Sequence, residues 1–267
     1  MNFLHTYIPD PILLDVSFLT IRWYGFFIAL AVATGLTMAL YLAKKQNINT
    51  DKIYDLLLWL TVGGIIGARL YEVLVINWPY YYADLSAIYK VWEGGLAIHG
   101  AIIGGVISLW LWTKRSKEKF WQMADLIAVV LPLGQAIGRW GNYFNGELFG
   151  RPTDSLIGIP IDISKRPERF LDYQYFQPTF LYESLLNLLL FFILVFIAKY
   201  RDIRRGTLTM IYLAGYSAIR FVMEFIRIDP TPVYLGLRLP QVASLLIIFI
   251  VVILFFVRQH RLQVFDR

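Results

Sequence analysis

Seven apolar runs dominate the chain, at about residues 20–43, 54–77, 96–113, 120–138, 179–199, 207–226 and 241–257. Runs of about 18 or more apolar residues have the length of a membrane-spanning helix. The pattern predicts an all-α polytopic membrane protein with about seven transmembrane helices. The third and fourth runs are short, as in helices that end inside the membrane thickness near something polar. The first is too long for a signal-peptide core and lacks a small-residue cleavage pattern, so it reads as a retained span. One long polar interruption remains, residues 139–178. Its Pro152, Pro160, Pro167 and Pro178 and its mixed charges predict an ordered cap on the external side, with Leu156, Ile157, Ile159, Ile161 and Ile163 as material for a small core. With that cap, residues 1–267 read as a single membrane-embedded domain.

Charge changes the picture by orienting it. Lys44, Lys45, Lys52, Lys114, Arg115, Lys117, Lys119, Lys199, Arg201, Arg204, Arg205, Arg258, Arg261 and Arg267 all flank the spans on one side. The other side holds Lys90, Arg227, Arg238 and the basic residues of the 139–178 segment. Lys and Arg collect in cytoplasmic loops, so the N-terminus is placed outside and the C-terminus in the cytoplasm. The net charge of +6 is then a matter of orientation, and no nucleic acid is expected. The chain has no cysteine, and His5, His99 and His260 are scattered. Neither a metal site nor a cofactor is expected.

Ionisable residues at membrane depth are functional hypotheses by default. Arg220 and Glu224 lie four apart in the sixth run, with Tyr216 one turn earlier, on one arc of a helix. Two readings are open for them: a structural ion pair between helices, or part of a site. Arg69 and Glu72 in the second run are spaced for an i,i+3 pair and read as structural. His99, at the outer start of the third run, is open to both readings. Gly63 with Gly67, Gly100 with Gly104 and Gly134 with Gly138 are GxxxG pairs that let helices pack closely in lipid. The polar groups nonetheless share a level. His99 begins a span, Arg139 ends one, Glu183 begins another, and Arg220 and Tyr24 also fall in the outer half.

The stretch GRWGNYFNGELFG, Gly138 to Gly150, concentrates this chemistry at the end of the fourth run. Arginine presents a planar fork of donors suited to phosphate, and asparagine adds neutral donors and acceptors. Gly138, Gly141, Gly146 and Gly150 would let the backbone turn tightly and approach a ligand. Arg139 and Arg220 at one depth point to an anionic lipid head group.

These residues resemble a known family, the bacterial prolipoprotein diacylglyceryl transferases. Gly138 to Gly150 satisfies every fixed position of its signature. Pro178 to Glu183 matches its Pro-Thr/Ser-x-Leu-Tyr-Glu block, and Arg220 with Glu224 matches its Arg-x-x-x-Glu. His99-Gly100-Ala101 looks like its His-Gly-Gly block, with Ala101 in place of a glycine. Gln177 stands where a histidine is frequent, which puts in doubt any histidine role at that corner.

The resemblance implies transfer of diacylglyceryl from phosphatidylglycerol to the lipobox cysteine of a prolipoprotein signal peptide, in the bacterial plasma membrane with the active site toward the outer face. On that expectation Arg139 and Arg220 hold the lipid phosphate, His99 takes the thiol proton, and Glu224 orients Arg220. Tyr24, Asn142, Asn145, Glu147, Gly150, Tyr182, Glu183 and Tyr216 complete the substrate pocket. The alternatives are another phospholipid head-group enzyme or a small-solute transporter. The polar groups gather in the outer half and leave no polar track to the cytoplasm, which argues against the transporter.

Overall fold

The computed structural model describes residues 3–16, 19–200 and 203–265. Arg201 and Arg267, counted above among the basic flanks, lie outside the described residues, as do the side chains of His260 and Arg261. Seven long helices carry the fold among the described residues: α1 (Trp23–Lys45), α2 (Thr50–Tyr71), α3 (Ile98–Ser116), α4 (Phe120–Asn145), α5 (Thr179–Ala198), α6 (Thr207–Met223) and α7 (Leu239–Phe265). The strands among the described residues form three two-stranded antiparallel ribbons. Among the described residues, five helical segments are long and apolar enough to cross a membrane: Trp23–Lys45, Thr50–Ile76, Phe120–Asn145, Thr179–Ala198 and Leu239–Arg258. Helix α6 is apolar but shorter. In α3 the apolar run is bounded by His99 at one end and by Lys114 and Arg115 at the other.

The chain forms two compact units, Leu36–Ile127 and Met1–Gly35 with Ala128–Arg267. In the first, α2 and α3 pack through their glycines. A β-carbon on Gly67 would run into the Gly100 carbonyl, and one on Gly104 into the Gly63 carbonyl. These GxxxG pairs therefore serve a helix crossing within the chain. Helix α2 opens on Asn49, whose side chain accepts from the Asp51 N–H at 2.8 Å. It continues as a π-helical turn, Glu72–Ile76, and the chain from Asn77 to Gly95 then folds in short turns.

Arg69 organises that segment. Nε donates to the Ile88 carbonyl at 2.8 Å, Nη1 to Gly94 at 2.6 Å and Gly95 at 2.9 Å, and Nη2 to Ala87 and Lys90. The structural reading of Arg69 holds, but its partners are carbonyls rather than Glu72. Glu72 instead accepts from Asn77 Nδ2 at 2.5 Å. A tight loop has orphan carbonyls that one guanidinium can satisfy together.

In the second unit, the fourth run continues as helix to Asn145, one to two turns beyond the expected end at 138. Gly138 and Gly141 do not break it, because aromatic neighbours pack it on several sides. Phe144 stacks on Trp23 with centroids 4.4 Å apart, and Tyr143 stacks on Phe180 at 4.6 Å. The turn comes at Gly146, with φ +61°. Residues 146–178 are tied down by a core of Tyr143, Phe149, Ile159, Ile161, Phe176, Phe180 and Ile228. Of the five apolar residues expected to order this segment, Ile159 and Ile161 are buried, whereas Leu156, Ile157 and Ile163 are exposed.

Candidate functional site

The site is built on the ends of α4, α5 and α6 in the second unit. Extending α4 to Asn145 places Arg139, Asn142 and Asn145 at i, i+3, i+6 on one helical face. Arg139 Nη1 donates to Asn142 Oδ1 at 3.3 Å. Asn142 Nδ2 and Asn145 Nδ2 both donate to Glu147 Oε1, at 2.8 Å and 3.2 Å. Asn142 is buried and Glu147 is exposed, so the row runs from the interior outward.

Glu183, in the second turn of α5 and 2% exposed, gathers three arginines. Arg139 Nη2 pairs with its Oε2, Arg227 Nη1 lies 3.2 Å from Oε1, and Arg220 Nη1 lies 4.0 Å from Oε1. Glu224, 1% exposed, lies between two more guanidinium contacts. Arg220 Nη2 is 2.8 Å from Oε2 and Arg238 Nε is 2.9 Å from Oε1. Asp229 closes the group, with Arg227 Nε 2.8 Å from Oδ1. Burial pushes the Asp229 carboxyl up, but the Arg227 hydrogen bond and the charges of Arg227, Arg238 and Arg220 outweigh it and hold it below the usual carboxylate range.

Charges as buried as these are tolerated only when paired. Four guanidinium groups meet three carboxylates in this ion-paired set, and the Glu147 carboxylate joins it through Asn142. Arg220 Nη1 is buried and makes no hydrogen bond. A cluster of guanidinium groups with an unused donor is suited to an anion. Beside it a cleft of about 390 Å³ is lined by Asn145, Glu147, Phe149, Lys165, Ile228 and Asp229, among others.

Residues 11–257 match the sequence profile of the prolipoprotein diacylglyceryl transferases. The chain belongs to that family. Relatives described as phosphatidylglycerol–prolipoprotein diacylglyceryl transferase include one from Nostoc sp., 46% identical over 243 residues, which covers 89% of this chain and 85% of the relative. The Thermosynechococcus vestitus relative is 44% identical over 237 residues, 88% of this chain and 87% of its own. The Synechocystis sp. relative is 42% identical over 248 residues, 91% and 87%.

The residues that carried the resemblance to this transferase family fall in two places. Arg139, Asn142, Asn145, Glu147, Glu183, Arg220 and Glu224 form one connected network. Tyr24 lies over α4, its ring and Cα against the face of Gly141. Tyr216 stacks on Tyr212 at 6.0 Å, and Gln135 Nε2 donates to the Tyr212 hydroxyl at 2.9 Å. Tyr182 is half-buried at the start of α5. His99 belongs to the other unit, exposed at the start of α3 with the Tyr71 ring 5.9 Å away.

The glycines of the signature also have packing and turn roles within the fold. A β-carbon on Gly141 would come within 2.8 Å of Tyr24 Cδ2, so this glycine admits a tyrosine ring. One on Gly150 would meet Ile226 Cγ2 at 2.8 Å, Gln177 Cβ at 2.9 Å and Thr179 Cγ2 at 3.0 Å, so Gly150 is a three-way packing point. Gly146 supplies a left-handed turn under Lys165. Of the four, only Gly138 has open space where a side chain would be.

Sequence reasoning counted Arg227 and Arg238 as loop charges and passed over Asp229. The run Arg227-Ile228-Asp229-Pro230 directly after an apolar helix was the available signal. Asn187, fully buried on α5, was also missed. Its Nδ2 donates to the Glu183 carbonyl at 2.7 Å, one turn below the cluster.

Proposed function

We propose that this chain transfers the diacylglyceryl group from phosphatidylglycerol to the lipobox cysteine of prolipoproteins, the lipid-adding step of lipoprotein maturation. The thiol sulfur attacks the glyceryl carbon that carries the phosphate ester. A C–S bond forms as the C–O bond breaks, the thiol gives up its proton, and glycerol phosphate leaves. The observation that carries the reading is the buried arginine cluster with its unused Arg220 donor, in a chain of this family. Donors already in place where phosphate charge grows lower the barrier without reorganising.

Arg139 and Arg220 hold the phosphate, while Glu183 and Glu224 keep the two guanidinium groups in place. Tyr24, Asn142, Asn145, Glu147, Tyr182 and Tyr216 shape the head-group pocket, and Gly150 fixes its frame. His99 is the base for a thiol whose reference pKa is near 8.5. The chain crosses the plasma membrane seven times, with the N-terminus outside, the cap of residues 139–178 on the outer face, and all of it one catalytic domain. Apolar side chains left exposed on the helices, among them Leu58, Ile66, Ile102, Leu189, Phe192 and Phe196, support contact with lipid. The one-sided Lys/Arg flanks support the orientation.

Incubating the purified chain with phosphatidylglycerol and a lipobox peptide should add the mass of one diacylglyceryl group to the peptide. The addition should vanish when the peptide cysteine is replaced by serine. An unmodified cysteine peptide with a hydrolysed lipid would instead favour a head-group hydrolase.

A further inference from the structure

Arg238 lies at the end of the ribbon Val233–Tyr234/Leu237–Arg238, whose turn residues Leu235 and Gly236 both have positive φ. A two-residue hairpin of this kind sends the chain straight back, and here it returns Arg238 to the end of α6. The backbone N–H of Arg238 donates to Gln241 Oε1 at 3.0 Å, which fixes the start of α7 against the ribbon. A guanidinium has five N–H donors, and five acceptors face this one. Nε lies against Glu224 Oε1, and Nη1 donates to the Glu224 carbonyl at 3.4 Å and to the Arg227 carbonyl. Nη2 donates to the Asp229 carbonyl and to Thr231 Oγ1 at 3.0 Å. The Nη hydrogens of Arg238 are thus taken up within the protein, and its Nε lies 2.9 Å from Glu224 Oε1 as an ion pair.

Arg220 is its opposite. It reaches Glu224 through Nη2 alone, and its Nη1 is buried without a hydrogen bond. The two arginines divide Glu224 between them, one oxygen each. We infer that Arg238 is a positioning residue for the transfer reaction: by occupying Glu224 Oε1 it stops Glu224 from closing a two-pronged pair with Arg220, and so keeps Arg220 Nη1 open for the lipid phosphate. This rests on the assignment of Arg220 to the phosphate. Carboxylate and guanidinium favour two parallel hydrogen bonds when both oxygens are available. Without Arg238, Glu224 turns its second oxygen to Arg220 and competes with the substrate anion for the same nitrogen.

The test is a split of kinetic constants in the full-length enzyme. Arg238→Gln should raise KM for phosphatidylglycerol roughly tenfold, the scale of one charge-assisted hydrogen bond, and leave KM for the lipobox peptide unchanged. Arg238→Lys should recover part of the loss, because an ammonium can occupy Glu224 without reproducing the fork. A merely structural role would lower the amount of folded enzyme and move neither KM selectively. That outcome, or a wild-type KM for phosphatidylglycerol in Arg238→Gln, overturns the inference.

If Arg238→Gln does not accumulate, Thr231→Val removes a single acceptor of Arg238. A selective rise in the lipid KM then supports the inference, and no rise overturns it. Arg220→Lys separates the two claims. If it leaves the lipid KM unchanged, the phosphate assignment fails. If it raises that KM and Arg238→Gln does not, only the positioning role fails.

Discussion

Replacing Gly150 by alanine tests whether packing sets the geometry of the arginine cluster. The new methyl would lie 2.8 Å from Ile226 Cγ2, 2.9 Å from Gln177 Cβ and 3.0 Å from Thr179 Cγ2. Carbon atoms rest at about 3.5–4.0 Å, so the three segments must part by about half an ångström or more. Gln177 Cβ is attached directly to backbone that is itself bonded to Gly150, whose N–H donates to the Gln177 carbonyl at 2.9 Å. Relief by a side-chain rotation is therefore closed on that side. Gly150 is not in the left-handed region, so overpacking is the whole cost, about 1–3 kcal/mol.

The displacement also falls on the site. Ile226 precedes Arg227, and Thr179 lies one turn before Glu183. A misplacement of 1 Å costs about 100-fold in rate, so half of that should reduce kcat/KM by roughly tenfold. The assay pairs melting of the purified chain in detergent with transfer to a lipobox peptide. Melting should fall by about 2–4 °C per kcal/mol. Gly138→Ala, in open space on α4, should melt no lower than wild type. A Gly150→Ala variant with wild-type melting and turnover would refute the packing account.

Gly104→Ala should destabilise the chain by more than Gly150→Ala, because its methyl meets the Gly63 carbonyl and the Gly67 backbone, neither of which can rotate away; comparison of the two melting temperatures checks the order. Asp229 has a carboxyl held below its unfolded value near 3.9, so its ionised form contributes stability that is present above about pH 4 and lost as pH falls through the folded value. The melting advantage of wild type over Asp229→Asn should therefore be constant from pH 7 to about pH 4 and shrink below it; an advantage that persists unchanged in stronger acid contradicts the pairing. His99→Gln should lose most activity and alter the pH–rate profile. A variant that keeps substantial activity with the same pH dependence ends the role of His99 as base.

The helices were legible because lipid imposes a simple rule: a long apolar run must satisfy its own backbone and so becomes a helix. The run ends were less so. The fourth apolar run stops at 138, before the polar Arg139, whereas the packing of Trp23 against Phe144 and of Phe180 against Tyr143 keeps the helix intact to Asn145. Arg139, Glu183, Arg220 and Glu224 could be found because a charge in an apolar run stands out. Arg227, Asp229 and Arg238 lie after Met223, where helical spacing no longer relates one residue to the next. Their meeting depends on the turn at Leu235 and Gly236. Arg69 shows the same limit: its role as a bonded charge was readable, but its carbonyl partners at Ala87, Ile88, Lys90, Gly94 and Gly95 belong to an irregular segment.

Arg139→Ala removes one of the two guanidinium groups proposed to grip the lipid phosphate. Purified variant and wild type, matched for folded protein, are compared for transfer of labelled diacylglyceryl from phosphatidylglycerol to a cysteine lipobox peptide. Transfer should fall by about 100-fold or more, the scale of removing a preorganised donor from developing charge. Normal turnover by Arg139→Ala would contradict the phosphate grip.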